Sequence, residues 1–183
     1  MTFKKSIQRA LETKSPQIEL TGSTSPTFLA WVLAQDEAPL RPRLIITPNN
    51  RVAKQVLHDL QALMPELDAV ELQAFDESPY SGLYPSSASL QSRTHFLWRA
   101  RHAKPSDIFV ASIEALLQKT LPVDLFKSYE FTLTKGEEVD IDTLIRQLAE
   151  SGYLSAPLVE DGGTFSRRGD ILDIFSPTLN LPI

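Results

Sequence analysis

Four groups of residues in this sequence have types and spacings that could do chemistry. The first is the run Leu20-Thr21-Gly22-Ser23-Thr24-Ser25-Pro26-Thr27-Phe28, which has the rhythm of a phosphate-binding loop entering a helix. Such a loop needs glycines so that backbone N–H groups can approach the phosphates. It also needs a lysine as a point charge on the β/γ-phosphates and a Ser/Thr hydroxyl for magnesium. With Thr27-Phe28 aligned to the end of that motif, the first glycine position is Leu20, the last is Ser25 and the lysine position is Pro26. Pro26 also removes a backbone donor, although proline suits the first turn of a helix. A helix N-terminus can attract an anion, but with no cation beside it Gly22, Ser25, Pro26 and Thr27 read as a structural turn.

The second group is the adjacent pair Arg167-Arg168, followed by Gly169 and a strand-like run, in Phe165-Ser166-Arg167-Arg168-Gly169-Asp170-Ile171-Leu172-Asp173-Ile174-Phe175. Neighbours on a strand point to opposite faces. One arginine can therefore pair with an acid such as Asp173 while the other faces solvent or a partner. The planar guanidinium suits bidentate contacts at interfaces, and the residues leave a structural ion pair and an interface arginine equally open. The third group is His58, His95 and His102, which have no His-x-x-x-His spacing and read as packing or surface residues, so no metal site is expected. The fourth is Asp76-Glu77 with Phe75, Tyr80 and Tyr84, where nothing else converges. It reads as a solvated loop with aromatic anchors, base stacking being the lesser reading.

These groups sit on elements of alternating type. Gln17–Leu20 reads as a strand and Thr24–Ala34 as a helix burying Phe28, Leu29, Val32 and Leu33. Arg43–Pro48 is a β-branched run. A helix follows, with Asn49 or Asn50 as its cap and Val52, Val56, Leu57, Leu60, Leu63 and Met64 on one face. Ala69–Phe75 is a strand, Ser87–His102 a long helix, Asp107–Ser112 a strand and the Ile113 segment a short helix. Strands alternating with helices imply crossover units and a parallel sheet, whose ligands bind beyond the carboxyl ends of the strands. The pattern changes near Leu121-Pro122. Tyr129–Thr134 alternates like a half-exposed antiparallel strand. A helix capped by Asp140 or Asp142 buries Ile141, Leu144, Ile145 and Leu148 and stops at Gly152. Short strands follow. The expected organisation is an α/β lobe over residues 1–122 and a small α+β domain over 123–183.

Composition bounds the partners. The 183 residues carry a net charge of −5 and no cysteine, which excludes disulfides and thiolate zinc sites. No apolar run approaches the ~18 residues of a membrane span, and no secretory signal is visible. The expectation is a cytoplasmic protein without a membrane role. Without a basic run, autonomous DNA binding is disfavoured. A local patch from Arg51, Lys54 and the Arg93, Arg99 and Arg101 helix remains the alternative.

Five stretches carry a family resemblance: ELTGSTSPTFLAWVL, LIITPNNRVAKQVLHDLQALMP, FDESPYSGLYPSSASLQSR, IFVASIEALLQK and FSRRGDILDIFSP. In this order they resemble the N-terminal region of the bacterial transcription-repair coupling factor (Mfd) family, a region similar to the excision-repair protein UvrB. The resemblance implies a degenerate RecA/P-loop-like lobe that has lost nucleotide binding, then a UvrB-type domain 2 that binds the damage-recognition protein UvrA. The loss of the lysine points to the coupling factor, since UvrB keeps it. The family's interface arginine corresponds to Arg168, with Arg167, Gly169 and Phe165 beside it. The implied function is non-catalytic recruitment of UvrA to stalled RNA polymerase in nucleotide excision repair, with no cofactor. Polymerase and DNA would be engaged only through chain beyond this N-terminal piece, which in the family carries an ATP-dependent translocase. A UvrB-type helicase lobe is the alternative of a different class.

Overall fold

The computed structural model describes residues 5, 9, 17, 19, 25–34, 41–75, 77, 80–179 and 181–183. The expected strand Gln17–Leu20, together with Gly22, Asp76 and the Ser78-Pro79 step, falls wholly or partly outside them. The chain divides into two compact units, Met1–Asp76 with Arg99–Gln118, and Glu77–Trp98 with Lys119–Ile183.

The first unit is built on a parallel sheet. Its strands are β1 (Arg43–Thr47), β2 (Ala69–Leu72) and β3 (Ile108–Ser112), in the order β1-β3-β2. Ile45 lies opposite Val110 in one pair, and Val70 opposite Phe109 in the other. The middle strand is buried along its whole length, as an apolar run in a parallel sheet requires. Helix α1 (Pro26–Ala34) begins at its proline, whose missing N–H is one of the unpaired donors of a first turn in any case. Helix α2 (Asn50–Leu63) is capped by Asn49, whose Oδ1 accepts from the Val52 N–H at 3.0 Å. The i, i+4 spacing of Val56 and Leu60 puts both in the core with Ala30, Ile45, Ala53, Met64, Ile108 and Val110. Val32 is buried, whereas Leu63, the last residue of the helix, is exposed. Truncating Leu60 to alanine is expected to cost about 2–5 kcal/mol.

The strand expected over Ala69–Phe75 ends at Leu72. The backbone beyond it is held by amide side chains instead of a neighbouring strand. Asn50 exchanges two hydrogen bonds with Ala74 (3.1 and 3.3 Å), and Gln118 exchanges two with Phe75 (2.9 and 3.1 Å). Ser112 donates to Asn50 Oδ1 at 2.8 Å and caps helix α4 (Ile113–Leu117). Helix α3 (Ser87–Arg101) precedes it in the chain.

The second unit contains α5 (Val123–Ser128), α6 (Ile141–Glu150), β4 (Leu154–Ser155), β5 (Thr164–Arg168) and β6 (Ile171–Phe175). Its sheet order is β4-β5-β6, with β5 and β6 antiparallel. Leu144 and Leu148 of α6 pack on Phe165 and Ile174, and Gly152 ends the helix at φ +87°.

The strand expected at Tyr129–Thr134 is not formed. Alternation is a local signal, whereas a strand exists only when another strand pairs with it. No ladder reaches this segment, and Tyr129, Phe131 and Leu133 remain exposed. Helix α5, just before it, starts after Pro122 with Asp124 in its first turn and Lys127 in its last. That is the charge order a helix dipole favours, and it was the available signal for this helix.

Candidate protein-interaction site

The β5–β6 hairpin builds the site. Arg168 lies directly opposite Ile171, so Gly169 and Asp170 form a two-residue turn. Gly169 has φ +65°, and no residue other than glycine has positive φ among those described. Positive φ at the first turn position alone defines a II′-type hairpin turn, which demands glycine there. A Cβ on Gly169 would meet open space, so the requirement is conformational and not steric.

The register assigns the faces. Phe165, Arg167, Leu172 and Ile174 share the face that packs on α6. Ser166, Arg168, Ile171 and Asp173 share the opposite one. Arg167 accordingly reaches Asp142 in the first turn of α6, at 2.6 Å, and donates from Nε to the Gly169 carbonyl at 3.1 Å. Arg168 pairs with Asp173 at 2.6 Å while its side chain stays 64% exposed. Both arginines are thus paired, and the acid foreseen as a partner, Asp173, belongs to Arg168. Phe165 is only 5% exposed. Its ring packs with Leu144, Leu148 and Ile174 in the core beneath the hairpin. Asp142, read in the sequence as a helix-cap candidate, and Ile171 belong to the same constellation, and only the register brings them to the arginines.

The described part of the turn before α1, Ser25 to Thr27, is engaged within the chain. Thr27, at the position of a magnesium-binding hydroxyl, donates to Asp59 Oδ2 at 2.7 Å. That hydrogen bond is the main reason the Asp59 carboxyl titrates below its ordinary value. A groove of about 250 Å³ beside it is lined by Ser25, Pro26, Phe28, Ile46, Pro48 and Val52 among others, without a cationic side chain. The carboxyl ends of the strands, where such a sheet holds ligands, are engaged by the Asn50 and Gln118 amides. Among the described residues no group of three or more acids, histidines or cysteines could hold a metal ion.

Two of the three arginines of the basic helix are engaged within the chain, and Arg101 is exposed. Arg93 is buried, and burial pushes its guanidinium below its usual pKa. Arg99 bridges Asp68 at 2.6 Å and the buried Asp107 at 2.9 Å. Asp107 also accepts from the Lys104 backbone N–H at 2.8 Å. His95 makes a 3.1 Å contact from Nδ1 to the Pro177 carbonyl. No helix among the described residues is long and apolar enough to cross a membrane.

With a helix-backed hairpin and an exposed arginine in place, sequence comparison supplies the class. Residues 131–183 match the UvrB interaction domain family. Over more of the chain, the relatives are transcription-repair-coupling factors. That of Myxococcus xanthus is 32% identical over 83% of this chain and 13% of its own length. That of Mycobacterium bovis is 29% identical over 100% of this chain and 15% of its own. That of Staphylococcus aureus strain USA300 is 28% identical over 90% of this chain and 14% of its own. The chain belongs to the transcription-repair-coupling-factor family, as part of its UvrB-like N-terminal region. It spans between 13% and 15% of the length of these relatives.

Proposed function

We propose that this chain is a non-catalytic recruitment module that offers UvrA a UvrB-like surface, so that excision repair reaches a stalled RNA polymerase. The observation that carries the reading is Arg168. It projects from the hairpin on the face turned away from α6, stays exposed, and is aimed by Asp173. It also lies within the stretch matching the UvrB interaction domain. An exposed, aimed guanidinium suits a carboxylate or carbonyl on a protein partner. Arg168 is the anchor in this reading, and Arg167 and Gly169 hold the hairpin that presents it. RNA polymerase and DNA are engaged by other parts of a longer protein. The α/β unit is a RecA-like lobe that keeps the fold of a nucleotide site without its chemistry. Pro26 at the lysine position, Thr27 bonded to Asp59 and the apolar groove support that assignment.

Calorimetric titration against UvrA, with UvrB as the control ligand, tests the proposal. Binding to UvrA that Arg168→Glu abolishes is expected. Absence of binding to UvrA by the folded chain would refute it.

A further inference from the structure

The outer face of the hairpin also carries the acid beside the anchor. Asp173 stands directly across the ladder from Ser166 and diagonally from Arg168, within reach of a long side chain. Its Oδ2 accepts from Arg168 Nη2 at 2.6 Å, and Asp173 is half as exposed as the arginine, 34% against 64%. The pair is therefore asymmetric. The acid is short, mid-strand and partly buried, whereas the arginine is long, one residue before the turn, and has many rotamers to lose.

An arginine has five N–H donors, and Asp173 is the side-chain partner of one of them. The others have no partner among the described residues. The acid thus orients the guanidinium without consuming its capacity for a second carboxylate. On the opposite face, Asp142 treats Arg167 the same way, but there the arginine spends a further donor on the Gly169 carbonyl. Arg168 keeps four of its five donors, against three for Arg167, and is the more exposed of the two, 64% against 43%.

We propose that Asp173 is a positioning residue for partner binding, holding Arg168 in its bound rotamer before the partner arrives. This rests on Arg168 being the anchor for UvrA. Ordering a rotamer-rich side chain on association weakens affinity by about two- to tenfold. Removing Asp173 transfers that cost to the binding step. The opposing effect is that Asp173 repels an incoming carboxylate. The guanidinium's positive charge between the two carboxylates offsets this repulsion, so the loss of order prevails.

The experiment compares wild type, Asp173→Asn, Arg168→Ala and the double variant by calorimetry against UvrA, with Asp173→Ser as a second substitution should the first fold poorly. Asp173→Asn is expected to weaken binding about three- to tenfold, and to have no further effect once Arg168 is alanine. Unchanged or tighter binding overturns the inference, and so does an equal loss in the Arg168→Ala background. A second readout needs no partner. In the free chain, NMR relaxation of the Arg168 Nε–H should report a restricted side chain that loosens in Asp173→Asn. Equal mobility in both overturns the positioning role. If wild type fails to bind UvrA while Arg168 loosens as expected, the partner assignment has failed and the positioning stands.

Discussion

At the scale of single residues, polar side chains with no water to fall back on decide the behaviour of the first unit. Glu71 on β2 is 8% exposed. Its Oε2 accepts from Gln73 at 2.9 Å, while Oε1 has no hydrogen-bonding partner among the described residues. Burial raises its pKa above the ordinary value of 4.5, against smaller opposing effects from Gln73 and Lys54. The folded state then holds its proton at a pH where the unfolded chain has released it. Stability falls as pH rises from about the unfolded value of 4.5 through the raised folded pKa, and stays lower above it. Glu71→Gln is expected to stabilise the protein by about 1 kcal/mol at neutral pH and to have little benefit in acid. Urea denaturation at two pH values measures this. Arg168 belongs to the same scale but a different environment: its pair with Asp173 is exposed, so it contributes little to stability.

At the scale of elements, the hairpin and the crevice of the parallel sheet can be perturbed separately. Gly169→Ala forces a Cβ into a positive-φ turn and is expected to cost about 1–3 kcal/mol by thermal denaturation. A position with open space around it would tolerate alanine if sterics alone mattered. The Gln118 amide replaces a strand neighbour for Phe75. Gln118→Ala is therefore expected to speed hydrogen exchange at the Phe75 amide by about tenfold, leaving the Ile45 and Val110 amides of the sheet core protected. The same elements show what the sequence could and could not reveal. The strands Arg43–Thr47 and Ile108–Ser112 were legible because continuous β-branched or apolar runs match a buried parallel sheet. The Asn49 cap was legible because capping chemistry is local. The early end of β2 was not, since it depends on Asn50 and Gln118, 24 and 43 residues from the backbone they hold. The alternation at Tyr129–Thr134 forms no strand because no strand among the described residues pairs with it. At the hairpin, the arginines, the turn glycine and Asp173 were legible. Phe165 as core, and Asp142 as the Arg167 partner, required the register.

At the scale of the whole molecule, the two units carry different amounts of the function. The first supplies a sheet beyond whose second strand the backbone is held by the chain's own amides, and a turn with Pro26 where a phosphate loop would carry lysine. Millimolar Mg-ATP is accordingly expected to leave the melting temperature of the chain unchanged. A ligand at 100 times its dissociation constant would add about 2.7 kcal/mol, so a nucleotide site would be visible in that assay. In the proposed function the second unit supplies the docking surface. A net charge of −5, with Arg93 buried and Arg99 paired to two acids, leaves two of the three helix arginines poorly placed for phosphates. A protein partner fits this molecule better than a nucleic acid. The measurement that bears most directly on this account is the titration of UvrA with wild type, Arg168→Ala and Arg168→Glu chains of verified fold. The expected result is saturable binding by wild type, a loss of about 2 kcal/mol or more for alanine, and no detectable binding for glutamate. Wild-type affinity retained by both folded variants would contradict it.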